Sequence, residues 1–134
     1  MSVMLDTNVC IYLIRARPPE VLRRFEEYEV GEICVSSVTA AELHFGVRKS
    51  RRPAQNERAL EQFLLPLEVA GFGLEAAAAY GHIRSALDER GTPIGPLDTL
   101  IAAHAVSLDL TLVTNNVREF ARVPGLKLDN WVDS

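Results

Sequence analysis

The stretch VMLDTN, residues 3–8, decides the fold, because a short apolar run ends abruptly in three polar residues. Both faces of the run Val3-Met4-Leu5 are apolar, which is typical of a buried strand in a parallel sheet. The residues that follow favour a brief helix over 8–14, which ends near Pro18. A strand that passes directly into a helix is the repeating unit of α/β proteins. The opening residues therefore predict an α/β domain with a parallel sheet.

The same alternation of strands and helices continues along the chain. Gly91 is placed to end a long helix, and residues 93–96 are predicted to form a rigid turn with Pro96 at the first position of the next helix. Ser36 and Ser37 are suited to cap the helix that follows them. We predict further strands at 33–35, 67–69, 111–114 and 126–128, and further helices at 20–28, 38–49, 55–65, 74–90 and 97–108, with a turn at 120–125. The pattern predicts one α/β domain, residues 1–134, around a short and mainly parallel central sheet.

Length and composition place the chain among ordinary globular proteins. Its 134 residues are 48% hydrophobic and 24% charged, which excludes a disordered or collagen-like chain. The longest uncharged stretch, 99–108, is about half of the roughly 20 residues that a membrane span needs. Cys10 and Cys34 lie among apolar neighbours, as buried reduced thiols do. We expect a cytoplasmic protein without a signal peptide or a membrane partner.

Positive charge is concentrated in two short segments, although the net charge is −4. Most of these cations are arginines, whose planar guanidinium suits phosphate groups. The alternative is that they are only solvated helix faces. The first segment holds Arg15, Arg17, Arg23 and Arg24, and the second holds Arg48, Lys49, Arg51, Arg52 and Arg58.

Three acidic residues stand at equivalent places in the predicted topology. Asp6 follows the first strand, whereas Glu42 and Asp98 lie in the early turns of two later helices. In a parallel sheet these helix starts lie at one edge, so we expect the three carboxylates to converge. Crowded carboxylates repel one another, and Mg²⁺ or Mn²⁺ relieves that repulsion. The alternative role for each acid is to stabilise the dipole of its helix.

Other kinds of active site find little support in the sequence. The three histidines, His44, His82 and His104, lack metal-ligand spacing, and neither cysteine has a charged neighbour that would activate it. No phosphate-binding glycine motif occurs. A phosphatase or a phosphoryl-accepting receiver domain also places aspartates at strand ends, but the chain has no DxD after the first strand. A metal-dependent hydrolase remains the favoured class.

Four segments of the chain resemble PIN-domain ribonucleases, and more narrowly the VapC toxins of type II toxin–antitoxin modules. They are MLDTN at 4–8, SSVTAAEL at 36–43, GTPIGPLDTLIAAHA at 91–105 and LVTNNVREFARVPGLKLDNW at 112–131. The resemblance extends from Val3 to about Val132. It implies a PIN-like, three-layer α/β/α fold built as a single PIN domain.

The resemblance also implies roles for individual residues. Asp6, Glu42 and Asp98 match the acidic residues that hold the metal ion in this family. The fourth catalytic position of the family, often an aspartate, is Asn116 here, which leaves the occupancy of a second metal site open. Glu119 either supplies the missing carboxylate or faces solvent. The hydroxyl groups of Thr7 and Thr114 match positions that support the acids.

The implied activity is Mg²⁺-dependent cleavage of structured RNA, with Mn²⁺ as a possible substitute. Asp6 and Asp98 would hold the metal against the scissile phosphate, and Glu42 would complete its shell or hold the attacking water. In-line attack would leave 5′-phosphate and 3′-hydroxyl ends. The favoured substrate is the tRNA anticodon loop, and cleavage there would inhibit translation. The alternative is a catalytically weak PIN scaffold that binds RNA or protein.

Toxins of this family imply partners as well as a substrate. We expect a homodimer neutralised by a VapB-type antitoxin, with a larger heteromeric complex left open and DNA bound only through the antitoxin. Five cations are expected to grip RNA phosphates: Arg15, Arg48, Lys49, Arg51 and Arg52. Six apolar residues are expected to line an antitoxin groove, with packing inside the chain as the alternative: Val9, Ile11, Tyr12, Leu13, Leu22 and Phe25.

Overall fold

A computed structural model describes residues 1–132, which form five strands and seven helices. The strands are β1 (Val3–Leu5), β2 (Ile33–Ser36), β3 (Glu68–Ala70), β4 (Thr111–Val113) and β5 (Lys127–Asp129). The helices are α1 (Thr7–Ala16), α2 (Pro19–Glu26), α3 (Ser37–Arg48), α4 (Pro53–Leu64), α5 (Leu74–Arg90), α6 (Pro96–Ser107) and α7 (Val117–Phe120).

The five strands form one sheet in the order β3-β2-β1-β4-β5. Each of the four pairings in the described chain is parallel, and Val3 of β1 aligns with Ile33 of β2 and with Thr111 of β4. The first strand of the chain is thus the central one, flanked on both sides by strands that come later. The predicted parallel α/β sheet is confirmed.

Helices cover both faces of the sheet, because alternate strand residues point to opposite sides. Val3 and Leu5 pack with the apolar residues of α1, α2, α3 and α4. Met4, Cys34 and Leu112 pack with α5, α6 and Phe120 on the other face. The two hydrophobic clusters make the three-layer α/β/α arrangement that the resemblance implied, and that prediction is confirmed.

Local signals in the sequence place several helix ends correctly. Gly91 ends α5 in the left-handed region at φ 68°, where a residue with a side chain would be strained. Pro96 is the first residue of α6. The hydroxyl of Ser36 accepts a hydrogen bond of 3.0 Å from the Val38 N–H and so caps α3.

Some element boundaries differ from those predicted. Strands β3 and β5 lie one residue later than the apolar runs suggested, because pairing with β2 and β4 fixes their register. Helix α1 extends two residues past 14. The one-turn helix α7 was not predicted, since four residues cannot show a helical period.

Burial corrects part of the predicted antitoxin groove. Val9 is fully buried and Leu13 is 4% exposed, so the chain's own core encloses both side chains. Tyr12 and Phe25 also pack against this core, although they are only partly buried, and Leu22 is 40% exposed. Val9 and Leu13 therefore cannot line a surface groove, and that part of the prediction is wrong. An apolar helix face in a sequence does not distinguish a core from a docking surface.

Both cysteine thiols are buried, as their apolar neighbours predicted. Cys10 and Cys34 are free and buried, and burial raises the pKa of the Cys34 thiol to about 11. The pKa of Cys10 lies well above its usual value for the same reason, with a smaller contribution from Asp6. No helix within residues 1–132 has the length and apolar character required to span a membrane.

Candidate active site

Polar residues gather where the three central strands end. Asp6 follows β1, Thr114 follows β4, and Ser36 ends β2. From β1 the chain continues to β2 and β3 on one side of the sheet, whereas β4 and β5 are added on the other side. The strand order therefore reverses between β1 and β4, and a crevice forms there at the carboxyl ends of the strands. Crevices at such points are the usual binding sites of open α/β folds.

Asp6 lies at the bottom of this crevice and is 2% exposed. One carboxylate oxygen, Oδ1, accepts a hydrogen bond of 2.8 Å from the Val9 N–H and so caps α1. Burial raises the pKa of Asp6, and the negative charge of Glu42 raises it further, whereas the Thr114 hydroxyl and the Val9 N–H lower it. The cap fixes the side chain, so helix capping and a role in the site are compatible.

Glu42 reaches the crevice from the second turn of α3. Its Oε1 accepts a hydrogen bond of 2.6 Å from the Thr7 hydroxyl. Thr7 Oγ1 also lies 3.1 Å from the hydroxyl of the fully buried Thr39, one turn before Glu42 on the same helix. The two threonines thus join the start of α1 to α3 and fix the direction of the Glu42 side chain.

Asp98 enters from the first turn of α6, the helix that begins after Gly95. Its pKa is raised to about 6, mainly by burial and in addition by the negative charges of Glu119, Asp6 and Glu42. Glu119 also contributes through a side-chain hydrogen bond. Each influence on Asp98 acts in the same direction, which shows that the neighbouring carboxylates crowd around it.

Glu119 points into the crevice and is held there by two donors. The Asn116 side-chain amide donates a hydrogen bond of 2.5 Å to Oε2, and the Gly95 N–H donates one of 3.1 Å to Oε1. Asn116 is tied in turn to the floor of the site, because its backbone N–H donates to the Thr114 hydroxyl at 2.9 Å. Of the two positions left open for Glu119, the structure shows the inward one.

We call this group of Asp6, Glu42, Asp98 and Glu119 the acidic pit. No Lys, Arg or His within residues 1–132 forms an ion pair with any of the four. In the same part of the chain, no three Asp, Glu, His or Cys side chains stand close enough together to form a ready-made metal cage. Oxygen donors of this kind suit a hard divalent cation, which would offset the mutual repulsion of the four carboxylates.

A cleft of about 1100 Å³ leads away from the acidic pit between α1, α3 and α4. Thr7, Glu42 and Asp98 are among the residues that line it. Its walls are largely apolar, and Phe45, which is 65% exposed, stands one turn after Glu42. The cleft also contains two cations, Arg15 and Lys49.

The predicted RNA-contacting residues divide into two groups by position. Arg15 and Lys49 are exposed and line the cleft. Arg48, Arg51 and Arg52 are exposed beside it, at the end of α3 and the start of α4, but do not line it. Both groups are free to meet a polyanion that enters from this side.

Two contributors to the site were not singled out from the sequence. Thr39 precedes Glu42 by three residues, the spacing of neighbours on one helix face, and that spacing was a usable signal. Gly95 acts through its backbone N–H, for which the sequence carries no signal beyond the rigid turn. His104 lies within a helix, as its sequence context indicated. Its side chain is buried, and its Nδ1 lies 2.8 Å from the Ser36 hydroxyl.

Comparisons with known proteins agree on one family. The PIN-domain family model matches residues 3–126. The chain is 43% identical to the tRNA(fMet)-specific endonuclease VapC of Salmonella typhimurium over 131 residues, which are 98% of each protein. It is 46% identical to ribonuclease VapC2 of Haemophilus influenzae, covering 98% of this chain and 99% of that one.

Solved structures give the same answer. A chain of the DNA-bound VapBC structure from Salmonella typhimurium matches with a TM-score of 0.95 at 43% identity, covering 98% of both chains. VapBC2 from Rickettsia felis, bound to a DNA fragment from its promoter, matches with a TM-score of 0.92 at 41% identity, covering 98% of this chain and 99% of that one. With family, sequence and fold in agreement over nearly its whole length, the chain belongs to the PIN-domain family and, within it, to the VapC ribonucleases of the VapBC toxin–antitoxin systems.

Proposed function

We propose that this chain is a Mg²⁺-dependent endoribonuclease toxin that cleaves tRNA in its anticodon loop and so inhibits translation in the cytoplasm. The observation that carries the proposal is the acidic pit, whose four carboxylates form no ion pair within residues 1–132 and of which Glu42 and Asp98 line the cleft. The choice of tRNA is supported by relatives from Salmonella typhimurium and Shigella flexneri, 43% and 44% identical, that are named tRNA(fMet)-specific endonucleases.

The carboxylates of the acidic pit are more stable with a bound divalent cation than without one, because the cation offsets their mutual repulsion. Asp6, Asp98 and Glu42 would hold the ion, with Glu119 as the fourth carboxylate in place of the family's aspartate. A bound Mg²⁺ would offset the charge of the scissile phosphate and lower the pKa of a water molecule near it. Mn²⁺ takes the same oxygen donors and is expected to substitute.

The residues of the chain supply position and orientation. The Val9 N–H and the Thr114 hydroxyl lower the pKa of Asp6 against the larger effect of burial, and the Val9 N–H holds its side chain in place. Thr7 directs Glu42 towards the same point, where its second oxygen is free to hold the attacking water. Attack in line with the leaving 3′-oxygen leaves a 5′-phosphate and a 3′-hydroxyl, so the 2′-hydroxyl of RNA takes no part.

The cleft supplies the path for the RNA backbone. Arg15 and Lys49 stand inside it at some distance from the carboxylates, where they would bind phosphates that flank the cut. Arg48, Arg51 and Arg52 would extend this contact along the outer surface. These contacts hold the RNA without reading its sequence.

We further propose that a VapB-type antitoxin neutralises the chain by filling the same cleft. The apolar wall formed by Ile11, Ile14 and Phe45 suits a protein segment, and it replaces the buried Val9 and Leu13 of the predicted groove. An antitoxin seated there blocks the approach to Asp98 and Glu42. The solved structures of VapBC from Salmonella typhimurium and Rickettsia felis support this partner and an indirect association with DNA. A homodimer, alone or within a larger complex with the antitoxin, is expected as the functional unit.

The catalytically weak scaffold was the main alternative, and its only support was Asn116. Glu119 faces the acidic pit beside Asn116 and restores a carboxylate to the set. This favours the enzyme over the scaffold.

Incubation of the purified chain with total tRNA and Mg²⁺ tests the proposal, with EDTA and the Asp6→Asn variant as controls. We expect discrete fragments with 5′-phosphate ends that disappear in both controls. Fragments that persist with EDTA or with Asp6→Asn would come from a contaminating nuclease and would contradict the proposal. Cleavage of another RNA in preference to tRNA would overturn the substrate while leaving the reaction in place.

A further inference from the structure

We propose that Asn116 is a positioning residue, which aims the Glu119 carboxylate into the acidic pit and does not itself bind the cation. The inference rests on the proposed function, because it concerns the cation that the pit is proposed to hold. It reverses the simplest interpretation of Asn116, which is that an amide oxygen stands in for the aspartate of related enzymes as a weaker ligand.

The hydrogen bonds of Glu119 are the first argument. Its two carboxylate oxygens are bound by different donors, Oε2 by the Asn116 amide at 2.5 Å and Oε1 by the Gly95 N–H at 3.1 Å. The group of Asn116 that meets Glu119 is therefore the NH₂ group, which is a donor and cannot bind a metal ion. An aspartate in this place has only acceptor oxygens and would lose the contact.

The backbone of Asn116 is the second argument. Its N–H donates to Thr114 Oγ1 at 2.9 Å, and the Thr114 hydroxyl donates in turn to Asp6. Asn116 is also the residue that precedes α7, the helix on which Glu119 lies one turn later. Asn116 thus links Asp6, through Thr114, to Glu119 and helps to fix the position of one carboxylate relative to the other.

Charge is the third argument. Glu119 already acts on Asp98 as the strongest of its charged neighbours. A further carboxylate at position 116 would face Glu119 directly and push it away from the pit. The neutral amide removes that repulsion and replaces it with a charge-assisted hydrogen bond.

The Asn116→Asp variant separates the two interpretations, because they predict opposite results. If Asn116 positions Glu119, the substitution weakens Mg²⁺ binding by about tenfold, the size of effect expected when the group that orients a ligand is lost. If Asn116 is a ligand, the added charge tightens Mg²⁺ binding. The Asn116 side chain makes no cap hydrogen bond to α7, so the substitution removes no helix cap and the fold is expected to be retained.

Mg²⁺ binding is measured by calorimetry on the complete chain without RNA, and thermal unfolding in EDTA checks the fold. Asn116→Ala is expected to weaken binding as Asn116→Asp does, whereas Asn115→Asp, at the exposed neighbouring position, changes it by less than about twofold. In a Glu119→Ala background, Asn116→Ala is expected to have almost no further effect. With RNA, kcat is expected to fall while KM stays within about twofold, because Asn116 does not reach the RNA-binding cations.

Gly95→Pro offers a second route to the same contact. Gly95 has φ −53°, which proline adopts, and a Cβ there would meet Asp98 Oδ2 at 3.5 Å, an ordinary contact distance. The substitution removes the N–H that binds Glu119 Oε1 and puts the ring Cδ in its place, so the Glu119 carboxylate has to move away from position 95. We expect weaker Mg²⁺ binding with unchanged KM, and no further loss in a Glu119→Ala background.

Three results would overturn the inference. They are tighter Mg²⁺ binding by Asn116→Asp, additive effects of Asn116→Ala and Glu119→Ala, and a wild-type chain that binds neither Mg²⁺ nor Mn²⁺. The last result would also remove the metal from the proposed function. A chain that shows the expected binding pattern but does not cleave RNA would contradict the proposed function alone.

Discussion

Two regions of the molecule hold partly buried carboxylates in opposite surroundings. In the C-terminal clasp, which we define as Arg24, Asp129 and Trp131, Asp129 Oδ2 accepts from Arg24 Nη2 at 2.8 Å and from Trp131 Nε1 at 3.1 Å. In the acidic pit, Asp98 has carboxylates for neighbours and no cation among the described residues.

The difference separates a region that stabilises the fold from one that performs chemistry. The clasp also packs Trp131 against Phe25 and Tyr28, with ring centroids at 6.1 and 5.6 Å, and Trp131 is 2% exposed. It fastens the end of the chain to α2. The acidic pit destabilises the metal-free protein, because unpaired carboxylates are held close together. Strained charge of this kind is typical of functional sites.

The largest expected contrast is between Asp6→Asn and Asp129→Asn. Asp6→Asn is expected to lower kcat by about 1000-fold or more, because it removes a charge that holds the metal. The unfolding free energy of this variant in EDTA should not be lower than that of the wild type, since asparagine also caps α1. Asp129→Asn should retain activity within about threefold and lose about 1 kcal/mol of unfolding free energy. Cleavage assays and chemical denaturation measure both, and equal effects of the two variants on kcat would break the contrast.

The next expected effect concerns the aromatic part of the clasp. Trp131→Ala should lower the free energy of unfolding by about 3 kcal/mol, since it empties a buried site between two aromatic rings and the hydrophobic cluster of α1 and α2. Trp131→Phe keeps most of the packing and should cost about half as much. Denaturation in urea measures the loss. Mg²⁺ affinity should stay unchanged in both variants, and a parallel loss of affinity would show that the clasp supports the acidic pit.

The smallest expected effect is a pH dependence of stability. The pKa of Asp98 is about 6 in the folded protein, above its usual 3.8, so the folded state holds the proton more tightly than the unfolded state. In EDTA, the unfolding free energy should therefore fall as pH rises from about 4 to about 6, by about 1 kcal/mol after allowance for solvent screening.

Asp98→Asn provides the control for this pH dependence, because it removes the titrating group at nearly constant shape. The variant should lose the Asp98 part of the slope and be more stable than the wild type at pH 7 in EDTA. Excess Mg²⁺ should reverse the slope in the wild type only, since the ion binds the ionised carboxylate. Identical slopes for wild type and variant would contradict a raised pKa at Asp98.

Much of the fold was predictable because local signals and packing agree in it. The buried run at 3–5, the caps at Ser36 and Gly91, and Pro96 each have a physical cause that operates within a few residues. The ends of β3 and β5 were not predictable, because hydrogen bonds to neighbouring strands fix them. The burial of Val9 and Leu13 depends on which helices pack against α1. The amphipathic pattern of one helix does not contain that information.

The same distinction applies to the site. The sequence predicts that the carboxylates lie near one another, because the carboxyl ends of parallel strands share one edge of the sheet. They are Asp6, Glu42 and Asp98. The inward direction of Glu119 depends on two donors, a side-chain amide three residues away and a backbone N–H 24 residues away. The hydrogen bond from the Gly95 N–H to Glu119 could not be predicted, because every residue except proline has a backbone N–H and its direction depends on the fold. The resemblance to VapC toxins is confirmed by the family and structure matches.

The central place of the first strand has a consequence for synthesis of the protein. Strand β1 pairs with β4, which lies about 100 residues further along the chain, and the helix that carries Glu119 follows β4. A polypeptide released before these elements are made contains Asp6 and Glu42 but lacks Glu119 and the strand that precedes Thr114. Such an incomplete copy cannot assemble the acidic pit, so only copies translated past α7 require an antitoxin.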